Sequence, residues 1–82
     1  MSPTTVSTYS DTNPDRIFAL LPDLNEEGKL LIKKACFFAK DAHEGQLRKS
    51  GEPYYNHVFA TGVNLAMLKM DADTIAAGIM HD

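Results

Sequence analysis

Leu31, Ala35, Phe38, Ala39 and Ala42 fall at steps of 4, 7, 8 and 11 from the first, the repeat that lines one face of an α-helix. The pattern constrains the fold because its ends are marked too. Asn25 is a capping residue, Glu26 and Glu27 place carboxylates at the positive end of the helix dipole, and Gly45 is a stop. At ~1.5 Å per residue, a helix over 26–44 spans roughly 28 Å, enough to organise a small bundle.

The rest of the chain reads the same way. Asn13-Pro14 opens a first helix carrying Ile17, Phe18, Leu20 and Leu21, which ends before Pro22. A third helix is expected from Tyr54 to Met70, with Val58, Gly62, Leu65, Ala66 and Leu68 packing inward. Asp71 caps a fourth, running through Ile75, Ala76 and Ile79. Small residues (Ala60, Gly62, Ala66, Ala76, Ala77 and Gly78) would let the last two helices approach closely. Between Gly45 and Pro53, two glycines, a proline and three successive polar residues mark an ordered loop. No segment reads as a strand, so the expected class is all-α with about four helices.

Composition excludes several alternatives. With 82 residues there is room for one domain. The single Cys36 cannot build a disulfide framework or a cysteine zinc knuckle. No apolar run approaches the ~18 residues that a membrane-spanning helix needs. Residues 1–12 form a hydroxyl-rich stretch without Lys or Arg, unlike a secretory signal or transit peptide. They are expected to be a disordered N-terminal arm ahead of a folded part over 13–82, in a cytoplasmic protein.

Two groups of residues could carry chemistry. His43, His57 and His81 supply imidazole nitrogen, and Asp82 follows His81 directly; nitrogen and carboxylate oxygen are ligands for zinc, manganese or iron. The separation of His57 from His81 suits an antiparallel helix pair folding both to one spot. The plainer alternative is a helix end with a solvated Asp and a His favourably placed in the dipole. The second group is basic: residues 29–49 hold six Lys/Arg and two Asp/Glu, a net +4 in a chain of net −3. A solvated helix face explains Lys29, Lys33, Lys34 and Lys40. Arg48 and Lys49 differ, because they sit in the loop beside Ser50 and Gly51, where an arginine can stack on a base or fork onto phosphate. The stretch lacks the aromatic interleaving of a single-strand binder, which argues against nucleic acid.

The string Ala42-His43-Glu44-Gly45-Gln46-Leu47-Arg48-Lys49-Ser50-Gly51-Glu52-Pro53-Tyr54, followed by His57, Met70-Asp71, Thr74-Ile75 and His81-Asp82, resembles the N-terminal hydrolase domain of the long RelA/SpoT homologues. The resemblance runs from about Leu21 to Asp82. It implies an all-helical HD-type phosphohydrolase that binds Mn²⁺ and removes pyrophosphate from the 3′ position of (p)ppGpp, leaving GDP or GTP. Position by position, it assigns His57, His81 and Asp82 as metal ligands, and Arg48, Lys49 and Ser50 as the substrate loop. Members that only synthesise the nucleotide have lost the His-Asp pair, so its presence points to a bifunctional synthetase/hydrolase parent. The resemblance implies no nucleic-acid or membrane partner, and ribosome contact only through domains absent here.

There are departures. Val58 follows His57 where the family has proline, and Gly78-Ile79-Met80 replaces a leucine-rich run. The family pattern also continues past His-Asp with a Glu-Asp pair that activates water and a further metal-binding Asp. No catalytic acid or base is therefore assigned within these 82 residues. The expectation is an incomplete domain, inactive alone; the alternative is a non-catalytic helical remnant that binds a guanine nucleotide or a partner protein. His43 is expected to be a structural histidine bonded to backbone, Cys36 a buried hydrophobe, and Met67, Met70 and Met80 core fillers. Tyr54 and Tyr55 are expected to pack under the loop, and Glu52 to order it.

Overall fold

A computed structural model describes residues 12–81 and contains four helices: α1 (Asp15–Ala19), α2 (Glu26–Ala42), α3 (Tyr54–Met67) and α4 (Ala72–Met80). No strand forms among the described residues, and the expected all-α class holds. Of the N-terminal arm, all but Thr12 lies outside the described residues, as does Asp82.

Three of the four described helices, α1, α2 and α4, start at a short polar side chain, whereas α3 starts at Pro53 without one. Asn13 Oδ1 accepts the Asp15 N–H at 2.9 Å, Asn25 Oδ1 the Gly28 N–H at 2.8 Å, and Asp71 Oδ1 the Thr74 N–H at 2.8 Å. Each bond satisfies a donor that the first turn leaves open. The Thr74 hydroxyl and N–H hold the Asp71 carboxyl below its usual pKa.

α3 ends at Met67, three residues before the expected limit. Lys69 N–H bonds Ala66 O and Met70 N–H bonds Leu65 O, the paired bonds of a Schellman termination. The left-handed position in such a motif usually holds glycine, yet here Lys69 adopts φ +61°. Its ammonium donates to Leu20 O at 2.6 Å, capping the end of α1 across 49 residues of sequence. One lysine thus ends α3 and secures α1.

The buried core joins Ile17 of α1, Ile32, Ala35, Cys36 and Ala39 of α2, Tyr55, Val58, Phe59 and Ala66 of α3, and Ile75, Ala76 and Ile79 of α4. This corrects the face expected for α2. Ala35 and Ala39 are buried, but Leu31, Phe38 and Ala42 are exposed, Phe38 to 61%. The inward stripe is Gly28, Ile32, Ala35, Cys36 and Ala39, turned by ~60° from the expected face. Likewise Leu68 is 66% exposed, and Tyr55 and Phe59 take the expected packing place on α3. Met67, Met70 and Met80 are exposed and do not fill the core.

α3 and α4 form an antiparallel hairpin. A Cβ on Gly62 would come within 2.9 Å of Ile79 Cδ1, and one on Gly78 within 2.5 Å of Leu65 Cδ1, so both glycines permit close approach. These pairs also fix the register. His81, just past α4, lies across from residues near 60, roughly one helical turn from His57.

Candidate functional site

The α2–α3 connection is a small hairpin. Leu47 pairs antiparallel with Pro53, the Arg48 N–H bonds Glu52 O at 2.9 Å, and the Gly51 N–H bonds Arg48 O at 2.8 Å. Gly51 closes the turn at φ +90°, a conformation that other residues adopt only with strain. Arg48, Lys49 and Ser50 occupy the exposed tip. Arg48 Nη1 lies 3.5 Å from Glu52 Oε1, with the side chains 44% and 25% exposed. Such a pair contributes at most about 1 kcal/mol, so it orients the guanidinium without locking it away from a stronger anion.

The base of the hairpin is held more tightly. Gln46 N–H bonds His43 O at 2.9 Å, and Tyr54 N–H bonds Gln46 O at 2.8 Å. His43 Nδ1 lies 2.8 Å from Gln46 Oε1, so its partner is a side chain where a backbone group was expected. The His43 and Tyr54 rings stack at 4.8 Å between centroids, tilted by 30°, and Tyr54 meets His57 edge-on at 5.7 Å and 67°. Tyr54 therefore stands between two histidines, at the junction of loop and helix. One signal in the sequence points to this: His43 and Gln46, and again Tyr54 and His57, are three residues apart.

His57 is exposed in the first turn of α3, and His81 is exposed at the C-cap of α4. The hairpin brings them to one end of the molecule, where two imidazoles are suitable donors for a divalent ion. Among the described residues, no three His, Cys, Asp or Glu side chains gather as a metal set. Asp82, the third expected ligand, lies outside them.

Beside the loop, an open groove of about 730 Å³ lies between the C-terminal half of α2 and the hairpin. Phe37, Lys40, His43, Gln46, Leu47 and Asn56 are among its lining residues, whereas Arg48, Lys49, Ser50 and His57 are not. Sequence reasoning did not identify this groove. Beneath it, burial pushes the Cys36 thiol up in pKa, with the Tyr55 hydroxyl pulling the other way. Burial, then Cys36, also raises the Tyr55 phenol. Both groups stay protonated near neutrality, as expected of core residues and not of a nucleophile.

Residues 35–82 match the HD domain. Among curated proteins, the chain is similar to the bifunctional (p)ppGpp synthase/hydrolase SpoT of Escherichia coli K12, at 47% identity over 51 residues. That match covers 62% of this chain and 7% of the relative. A GTP pyrophosphokinase of Myxococcus xanthus is 42% identical over 80 residues, 98% of this chain and 9% of the relative. A guanosine-3′,5′-bis(diphosphate) 3′-pyrophosphohydrolase of Vibrio cholerae is 43% identical over 51 residues, 62% of this chain and 7% of the relative. The chain thus spans less than a tenth of the length of these curated relatives.

Proposed function

The chain belongs to the HD-domain family, and from that membership we propose that it carries the nucleotide loop and part of the metal set of a (p)ppGpp 3′-pyrophosphohydrolase. The observation that carries this reading is the junction at Tyr54, where ring contacts and backbone bonds link the basic hairpin to the His57 donor. A guanosine bearing two diphosphates is a compact polyanion with one flat face. Arg48 suits both features, because its planar guanidinium stacks on a base and forks onto phosphate oxygens. Lys49 adds a point charge, Ser50 donates its hydroxyl, and Glu52 holds Arg48 ready until phosphate displaces it. The lysines of α2 add attraction at longer range.

His57, His81 and Asp82 would hold the cation, for which we propose Mn²⁺. A bound cation of this kind polarises a phosphoryl oxygen and lowers the pKa of an attacking water. No residue of these 82 is assigned to take the proton from that water, so the reading assigns the chain substrate and metal binding, with little turnover as a separate polypeptide. The relatives' names divide between making and degrading one nucleotide. Retention of His81-Asp82 favours the hydrolytic side and a bifunctional parent. A cytoplasmic setting belongs to the same proposal. No described helix is long and apolar enough to cross a membrane.

The test is calorimetric titration of the purified chain with ppGpp and with GDP, in Mn²⁺ buffer. We expect ppGpp to bind at least tenfold more tightly than GDP, and Arg48→Ala to abolish most of that preference. Equal affinity for the two nucleotides, or a preference indifferent to Arg48, would overturn the reading in favour of a general guanine-nucleotide or protein-binding module.

A further inference from the structure

We propose that Tyr54 is a positioning residue that orients the His57 imidazole and couples it to the substrate loop. The proposal rests on the functional reading above only in treating His57 as a metal donor. His57 is exposed, in a first helical turn, where a side chain would otherwise exchange among staggered rotamers. Tyr54 is three residues earlier, the spacing that places two side chains on the same helix surface, and its ring meets His57 edge-on. Aromatic rings favour this arrangement because the positive edge of one faces the negative face of the other.

The Tyr54 ring is itself fixed from the other side. His43 stacks against it, and Gln46 holds both partners: its side-chain oxygen meets His43 Nδ1 and its backbone oxygen accepts the Tyr54 N–H. Because Oε1 only accepts, His43 presents Nδ1–H to it, which fixes the ring's orientation. His43, Gln46 and Tyr54 thus form a closed set of contacts. Gln46 directly precedes Leu47, which pairs with Pro53 to form the hairpin stem below Arg48. A shift of the loop on nucleotide binding would pass through Gln46 and Tyr54 to His57.

Proton NMR of the metal-free chain tests the positioning directly. We expect His57 Hα–Hβ couplings of a single rotamer and ring protons shifted by the Tyr54 ring. Tyr54→Leu should give averaged couplings and remove that shift, while Tyr54→Phe keeps both. Parallel Mn²⁺ titrations, read by water-proton relaxation, should weaken about tenfold in Tyr54→Leu and recover in Tyr54→Phe. Should Tyr54→Leu fail to fold, His43→Ala carries the same expectation with a smaller averaging of the couplings. Unchanged His57 couplings in whichever of these variants folds would overturn the proposal, as would failure of Tyr54→Phe to restore them. If the wild-type chain binds no Mn²⁺, the functional reading fails, while the couplings still decide whether Tyr54 positions His57.

Discussion

The helical scaffold and the 43–57 junction are held together in different ways. In the scaffold, the contacts are apolar and shared: Ile17, Ile32, Phe59, Ile75 and Ile79 are all but inaccessible and belong to one buried cluster. At the junction, almost every side chain is exposed or partly so, and order comes from a few specific bonds and ring contacts. Apolar cohesion depends on summed area and volume, so many sequences satisfy it. The junction depends on residue type at particular positions, since it needs an acceptor oxygen at 46 and an aromatic ring at 54. Fold and candidate function are therefore written in separate parts of the chain, and substitutions should separate them.

The largest effect is expected from Phe59→Ala. The ring is 2% exposed, lies 6.2 Å from Tyr55 between centroids, and carries the Arg16 guanidinium at 5.8 Å. Removing a buried aromatic ring costs about 3–5 kcal/mol, against the roughly 4–12 kcal/mol typical of a chain this size. Urea unfolding should show a midpoint lowered by at least a quarter, with nucleotide binding lost in proportion to folding. A variant that keeps its unfolding midpoint would show that the helical scaffold is not one cooperative unit.

A junction substitution should behave in the opposite way. A Cβ on Gly51 would meet nothing within 4 Å, so Gly51→Ala incurs only the cost of a positive φ, about 1–2 kcal/mol. The hairpin can open without unfolding the helices. The global midpoint should move only slightly, while the Gly51 amide loses hydrogen-exchange protection and ppGpp affinity falls several-fold. Gly51→Asn, which tolerates the left-handed region better, should recover part of both. A loss of global stability as large as that of Phe59→Ala would erase the distinction between the two regions.

This division also explains what could be read from the sequence. Helix starts were legible because Asn25 and Asp71 act locally, through their own side chains. The buried face of α2 was not, since Leu31 and Phe38 offer as apolar a stripe as Ile32 and Cys36, and only packing against α4 and α3 selects between them. The end of α3 was missed because Lys69 stands where glycine is usual, held by a bond to Leu20, which is distant in sequence. At the candidate site, the residue types of the loop were evident from the motif. The grouping of His43, Tyr54 and His57 required the backbone to fold first.

The smallest expected effect tests whether charge on the scaffold acts locally, at the end of α4 away from the junction. Two bonds from Thr74 lower the Asp71 pKa in the folded chain. In the unfolded chain the carboxyl titrates near its usual value of about 3.9. A depressed folded pKa means that the stabilisation is fully present above the unfolded value and is lost as pH falls through the folded one. Asp71→Asn keeps an acceptor of equal capping strength but removes the charge. Melting temperatures of the two proteins should therefore differ slightly above about pH 4, with the wild type higher, and converge as pH falls further. Other carboxylates titrate in both proteins and cancel in the difference. Curves that stay parallel from pH 7 down to pH 2 would show that the cap works through its hydrogen bond alone, with no contribution from the negative charge at the helix start.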